Sequence, residues 1–222
     1  MTAGKKLVAM LDELERVSEE TGKLTRTFLS PAMRRANALV GEWMREAGLT
    51  VREDSVGNLI GRMESVGSPL AGAKGARASS LAYSKQKTLL LGSHLDTVRD
   101  AGRFDGPLGV LLPIVALAEL KRRGVVLPFA VEVLGFSEEE GVRFASAYLG
   151  SKGYVGRMSA AELKLRDADG VSVGEAIFEW SRGAPRTCSA TWRCTSSRGR
   201  CWKRKNSPWA SSRRSRGRAG LS

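Results

Sequence analysis

Apolar residues recur at helical spacing in three stretches of the chain. The first stretch, residues 5–20, presents one apolar stripe made of Leu7, Met10, Leu14 and Val17. A second helix is predicted to start after Ser30, because Ser is a good N-cap and Pro31 suits the first helical position. Gly48 can end this helix, and residues 109–123 predict a third.

Short apolar runs between the predicted helices predict strands. Two are expected around residues 49–54 and 57–63, and two more are the runs KTLLLGSHL and LPFAVEVLGF, which are apolar on both faces. Residues 65–86 are rich in Gly, Ala and Ser and predict a surface loop, and residues 144–150 are predicted to form the first part of a further helix. The alternation predicts an α/β fold with a mixed, largely parallel sheet and helices on both faces.

Composition divides the chain into two parts. Of the 222 residues, 42% are hydrophobic and 27% are charged, as in globular domains. Residues 182–222 contain 12 of the 36 Lys and Arg residues, none of the 23 acidic residues and all three cysteines. This segment has few aliphatic residues and no periodicity, so we expect a folded body in residues 1–181 and a disordered basic tail in residues 182–222.

The sequence shows no recognisable export signal, so we expect a cytoplasmic protein with reduced cysteines. No run approaches ~18 apolar residues, so no transmembrane helix is expected. Acidic residues interrupt the N-terminal stretch MTAGKKLVAMLDELERV, which argues against a signal peptide. The spacing of Cys188, Cys194 and Cys201 matches no zinc pattern.

The net charge of +13 suggests a second class of function, nucleic-acid binding. Twelve cations and three tryptophans in the tail are suited to binding phosphates and stacking on bases. The alternative is that an unstructured basic tail binds polyanions without specificity. We expect no specific nucleic-acid partner and keep nucleic-acid binding as the second hypothesis.

Three polar clusters follow predicted strands, where ligands bind in sheets of this kind. They are GSHLDT, RFDG and SEEEG. Together they supply an imidazole and several carboxylates: His94, Asp96, Asp105, Glu138, Glu139 and Glu140. Imidazole and carboxylate groups suit zinc or a similar divalent metal, and a free carboxylate nearby can act as a general base on metal-bound water.

Each cluster also has an ordinary structural explanation. A single histidine after a strand is commonly a core or surface residue. Three consecutive glutamates are commonly the solvated start of a helix, and Asp105 with Gly106 forms a common turn pair. The joint position of the three clusters at strand ends is what favours a metal site.

The combination of GSHLDTV, FDGPLGV and EEGVRF resembles one family, the zinc-dependent amidohydrolases of the aminopeptidase-like superfamily. These are the allantoate amidohydrolases and N-carbamoyl-L-amino acid hydrolases. The resemblance spans about residues 25–180, and VRDAG, LPFAVEV and RDADGVS are most similar to the allantoate branch. It implies a partial aminopeptidase-like catalytic domain in residues 1–181, and hydrolysis of a ureido or carbamoyl C–N bond with release of ammonia and carbon dioxide.

The resemblance also implies a role for each candidate residue. His94 would bind one of two divalent ions (zinc, or manganese, cobalt or nickel), Asp105 would bridge the two ions, and Glu140 would bind the second. Glu139 would be the general base, and Asp96 would orient His94. Glu139 and Glu140 could exchange roles, since they are adjacent. The implied partners are a small ureido or carbamoyl substrate and, in the family, a second copy of the chain in a homodimer.

The sequence departs from the family's pattern in its later part. The family has two more histidine ligands, one in an HIEQG motif and one near the C-terminus, and a second domain for dimerisation and closure. This chain has one histidine. We therefore expect an incomplete active site and a truncated, inactive chain.

The tail suggests how this departure arose. When the segment CSATWRCTSSRGRCWKRK is back-translated with permitted codons and read one base out of frame, it can yield VLGYLEVHIEQGPVLEEK, which contains the HIEQG motif. Our hypothesis is that residues 182–222 are a family sequence translated out of frame.

Overall fold

The structure is a computed structural model that describes residues 2–65 and 87–183, together with the backbone of residues 192–194 and 201–203. Helix α1 spans Ala3–Glu15, and its N-cap Thr2 accepts a hydrogen bond from the Lys5 N–H. Helix α2 spans Pro31–Glu46, and the Ser30 side chain caps it by accepting from the Met33 N–H. Both helices occur where the apolar stripes predict them, although α1 ends earlier than residue 20.

One four-stranded sheet forms the centre of the described body. Its strands are β1 (Thr50–Glu53), β2 (Leu59–Met63), β3 (Thr88–His94) and β4 (Ala130–Phe136), in the order β1-β2-β4-β3. The α/β class and the mixed sheet are confirmed. The expected predominance of parallel pairing is wrong for the described strands, because only β3 and β4 pair in parallel. A short connection between β1 and β2 favours an antiparallel pair, whereas β3 and β4 are joined through a helix.

That connecting helix is α3 (Pro107–Arg122). Its buried side chains, with those of α1 and α2, form one hydrophobic core with Val131 and Val133 of β4. Glu132, between these valines, points to the opposite face, where Tyr154 of helix α4 (Leu149–Tyr154) donates a hydrogen bond to its carboxylate at 3.1 Å. Helices therefore pack on both faces of the sheet, as expected.

The helix predicted to begin at Phe144 starts only at Leu149. Ala145 and Tyr148 have φ values of 51° and 68°, which a helix cannot include, so the segment before α4 is irregular. Helix α5 (Val173–Arg182) begins with a capping box between Ser172 and Glu175.

The expectations for residues 65–86 and for the tail lie mostly outside the described residues. Within the tail, β5 (Trp192–Cys194) and β6 (Cys201–Lys203) pair antiparallel, although side-chain periodicity predicts no strand there. Such a ladder is built from backbone groups and requires no alternation of side chains. Among the helices that the structure describes, none has the length and apolar character to cross a membrane.

Candidate metal centre

The site lies where β3 and β4 end side by side. The parallel register pairs His94, the last residue of β3, with Phe136, the last residue of β4. The Leu95 N–H extends this pairing by one bond, to the Phe136 carbonyl at 2.8 Å. The chain after β4 continues through Ser137 into the three glutamates, so the sheet itself brings the histidine and the carboxylates to one edge.

Three carboxylates surround the imidazole of His94. Its Nε2 lies 3.9 Å from Asp105 Oδ1, 4.0 Å from Glu139 Oε2 and 3.9 Å from Glu140 Oε1. In a tetrahedral zinc site with bonds of ~2.0–2.1 Å, neighbouring ligand atoms lie roughly 3.3–3.4 Å apart. The imidazole and the carboxylates therefore lie about 0.5 Å farther apart than a shared ion would hold them, a difference that small side-chain movements can close, and nitrogen and oxygen donors are those that zinc accepts in proteins.

Exposure differs among the four side chains. The His94 side chain is 11% exposed and that of Glu140 20%, whereas Glu139 is 35% and Asp105 64% exposed. Asp105 lies two residues before the start of α3. Among the described residues, His94, Glu139 and Glu140 form a group that could hold an ion, because their ligand atoms lie within 4.8 Å of one another. Glu139, expected to be the general base, thus lies about as close to the His94 imidazole as Glu140, which is expected to bind metal.

The orientation of the His94 ring is set from both sides. Its Nδ1 lies 2.9 Å from the Asp96 backbone carbonyl and 3.5 Å from Asp96 Oδ1, so Nδ1 carries a proton and Nε2 faces the carboxylates. Behind the ring lies Gly106, with φ of +82°. A Cβ at this position would lie 2.5 Å from the ring atoms Cε1 and Nδ1, so only glycine leaves room for the imidazole.

Asp96 also holds the opposite wall of the site. Its Oδ2 accepts the backbone N–H groups of Glu139 at 3.0 Å and Glu140 at 3.1 Å. Sequence reasoning assigned Asp96 only to the histidine. The Asp96 carboxylate therefore connects the His94 imidazole with the backbone of Glu139 and Glu140, two of the three residues whose carboxylates surround the imidazole.

The electrostatics of the site reflect its crowded negative charge. Burial lowers the pKa of His94, but hydrogen bonds to Asp96 and the charges of Asp96 and Glu139 outweigh it and raise that pKa to about 9. Burial raises the pKa of Glu140. The metal-free site therefore holds a protonated imidazole at neutral pH, and a cation that binds there must displace this proton.

Glu138 has a different environment from its two neighbours. It is buried, and burial followed by the charge of Asp96 raises its pKa to about 8. Its Oε1 accepts the Gly141 N–H at 2.6 Å, which shapes the turn after the glutamates. No pattern in SEEEG distinguishes this buried acid from the two glutamates that face the imidazole.

A buried hydrogen-bond network centred on Asn58 holds Ser137, the residue that precedes the three glutamates. Asn58 Oδ1 accepts the Ser137 N–H at 3.0 Å, and Asn58 Nδ2 donates to Asp54 Oδ2 at 2.8 Å and to the Gly150 carbonyl at 2.9 Å. Burial raises the pKa of Asp54 to about 6. Sequence reasoning missed Asp54 and Asn58, because they precede the glutamate segment by about eighty positions and lie in no metal-ligand pattern.

A buried imidazole facing carboxylates at the ends of two parallel strands is the kind of site found in metal-dependent hydrolases. Comparison with known proteins gives the family. The model of Peptidase family M20/M25/M40 matches residues 90–209, and the chain belongs to this family.

Curated relatives match most of the chain. It is 44% identical over 174 residues to an allantoate deiminase of Arabidopsis thaliana, covering 78% of this chain and 30% of the relative. It is 39% identical over 178 residues to an N-carbamoyl-L-amino acid amidohydrolase of Geobacillus stearothermophilus, covering 80% of this chain and 40% of the relative. The chain thus spans less than half the length of these relatives.

Solved structures agree with this assignment. A hydantoinase/carbamoylase family amidase from Burkholderia ambifaria superimposes with a TM-score of 0.67 at 32% identity, covering 80% of this chain and 40% of that one. The structure of AtUAH in complex with (S)-hydroxyglycine superimposes with a TM-score of 0.66 at 30% identity, covering 79% and 39%. The recognised resemblance to this group of amidohydrolases is confirmed.

Proposed function

We propose that the described site is part of a metal-dependent hydrolase centre for C–N bonds of small ureido or carbamoyl compounds. The observation that carries this proposal is the position of His94 Nε2, which lies within 4.0 Å of carboxylate oxygens from Asp105, Glu139 and Glu140. The names of the relatives, allantoate deiminase and N-carbamoyl-L-amino acid amidohydrolase, support this substrate class.

Each side chain receives a role that its environment suits. His94, Asp105 and Glu140 would hold divalent metal: zinc, or one of manganese, cobalt and nickel. A bound ion would polarise the scissile carbonyl and increase the acidity of the attacking water. Glu139, whose side chain is 35% exposed, would take the proton from that water and pass it to the leaving nitrogen.

We further propose that the 222-residue chain by itself hydrolyses these substrates little or not at all. It contains one histidine, so it can supply one imidazole to the centre. Catalytic zinc normally has three protein ligands, and each of two ions would have fewer here. Homodimerisation, a cytoplasmic location and out-of-frame translation of residues 182–222 stay predictions.

Metal binding by the purified chain tests the site. Titration calorimetry with Zn²⁺ or Mn²⁺ should show binding that His94→Gln abolishes, whereas Asp100→Asn, a change at an exposed carboxylate in the loop after β3, should leave it unchanged. Equal binding by His94→Gln, or no binding by the unmodified chain, would overturn the proposed metal site.

Ammonia release from allantoate and from N-carbamoyl amino acids tests the chemistry. We expect none above background from the unmodified chain with either metal. A gene whose reading frame is restored near codon 186 should yield metal-dependent ammonia release that Glu139→Gln and His94→Ala both remove. Ammonia release by the unmodified chain, abolished by His94→Ala, would refute the proposed inactivity and keep the proposed chemistry. A frame-restored protein that binds metal but releases no ammonia from either substrate would refute the substrate class.

A further inference from the structure

Arg26 is the largest side chain in the described body that is fully buried. It lies in the segment before α2, far along the chain from the candidate metal centre, and no ligand pattern includes it. Burial lowers its pKa to about 10, while the charges of Asp96 and Glu19 raise it, so the guanidinium is cationic at neutral pH. A buried charge is costly, so its contacts should show why it is there.

Arg26 makes hydrogen bonds with both chain neighbours of Asp96, which are Leu95 and Thr97. Arg26 Nε donates to the Leu95 carbonyl at 2.6 Å. On the other side, the Arg26 N–H donates to Thr97 Oγ1 at 2.9 Å, and the Thr97 N–H donates to the Arg26 carbonyl at 2.9 Å. Three hydrogen bonds from one residue therefore hold both neighbours of Asp96.

The other arm of the guanidinium fixes Arg26 itself. Its Nη1 donates to the Val17 carbonyl at 2.8 Å and the Leu14 carbonyl at 3.2 Å, at the end of α1. A planar fork can bond the α1 terminus and the Leu95 carbonyl at once, which a lysine ammonium on a flexible stem cannot reproduce. The link thus runs from α1 through Arg26 to the segment after β3.

We propose that Arg26 is a positioning residue for the metal centre: it fixes the Leu95–Asp96–Thr97 segment, and through Asp96 it sets the His94 ring and the backbone of Glu139 and Glu140. The proposal follows from the geometry of Asp96, which contacts His94 Nδ1 through its carbonyl and the two glutamates through Oδ2. The importance of Arg26 for metal binding rests on the proposed function. Its effect on the position of the His94 ring is independent of that function.

His94 is the only histidine in the chain, so its imidazole gives a single set of NMR signals. In the unmodified metal-free chain the Nδ1 proton, held by the Asp96 carbonyl, should be protected from exchange with water. In Arg26→Lys, which keeps the charge but loses the fork, this protection should fall by about tenfold, the factor that loss of one hydrogen bond to a charged group corresponds to. Thr97→Val should have the same effect, whereas Thr97→Ser, which keeps the hydroxyl, should not.

The matched control is Arg34→Lys. Arg34 also ties a helix to a backbone carbonyl, donating to the Trp180 carbonyl at 3.0 Å, but it links α2 to α5. Arg34→Lys should lower stability without changing the His94 signals. Unchanged Nδ1 protection in folded Arg26→Lys, or in Thr97→Val should Arg26→Lys not fold, would overturn the proposal. Loss of protection together with an absence of metal binding in the unmodified chain would uphold the positioning role and refute the metal site.

Discussion

Asp96 and Glu139 are 43 residues apart in the chain, yet the Asp96 carboxylate accepts the Glu139 backbone N–H at 3.0 Å. The same carboxylate lies 3.5 Å from the Nδ1 of His94. Both walls of the candidate metal centre therefore depend on one side chain, and changes at that side chain should affect the histidine and the glutamates together.

Asp96→Asn should lower the pKa of His94 from about 9 toward or below its usual value of 6.5. The negative charge that stabilises the imidazolium is removed, while the burial that disfavours it persists. An NMR titration of the single histidine measures this directly. Asp100→Asn, at an exposed residue of the same loop, should leave the His94 pKa near 9, and an equal fall in both variants would contradict the assignment to Asp96.

The metal-free protein should become less stable as the pH rises from about 6 to about 9. The pKa of His94 is raised from 6.5 to about 9, so its stabilising contribution is complete below pH 6.5 and is lost as the pH rises through 9. Glu138 acts in the same direction, because its pKa is raised from 4.5 to about 8 and its neutral form is the one the fold accommodates.

Urea unfolding in the presence of a chelator at several pH values tests this dependence. His94→Gln and Glu138→Gln should each make the fall in unfolding free energy shallower, since neither amide titrates. A metal-free chain whose stability rises over this interval would contradict the proposed environments of both residues.

Gly106→Ala should disturb the histidine more than the fold. The added Cβ would lie 2.5 Å from the His94 ring, and φ of +82° is unfavourable for alanine, so we expect a loss of about 1–3 kcal/mol in unfolding free energy. Metal affinity, measured by calorimetry, should fall by at least about tenfold as the ring is displaced. Gly102→Ala, where nothing lies within 4 Å of the added Cβ, should change neither quantity.

Asn58→Ala should destabilise the body by about 2–4 kcal/mol. The Ser137 N–H and the Gly150 carbonyl both lose a buried partner, and each unsatisfied group costs about 1–3 kcal/mol. Denaturant unfolding measures the change. Ser151→Ala, which removes only a weak contact in α4, should stay within about 0.5 kcal/mol of the unmodified chain. A loss for Asn58→Ala as small as that control would show that the network carries no stability.

Local features of the sequence were sufficient to predict most of the elements. The stripe and cap of α2 involve contacts within three or four residues, so Ser30 and Pro31 identify its start without knowledge of the fold. The predicted helix from Phe144 was wrong in its start, because Ala145 and Tyr148 have positive φ values, which helix propensity does not anticipate.

The chemical groups of the candidate site could likewise be recognised in the sequence, because GSHLDT, RFDG and EEG place His94, Asp105 and Glu140 after strands or in turns. The contacts between them could not. They depend on the parallel register of His94 with Phe136, and spacing along one segment carries no information about which segment lies beside it.

Three features of the site could not be read from the sequence. The bond from Glu139 to Asp96 and the bond from Arg26 to the Leu95 carbonyl each join segments more than forty residues apart. Glu138 is buried although its neighbours are identical side chains. Sequence alone determined which candidate groups for a metal site this protein contains. Only the tertiary structure decided which groups are close and which are charged, because distance and burial follow from packing between elements rather than from order along the chain.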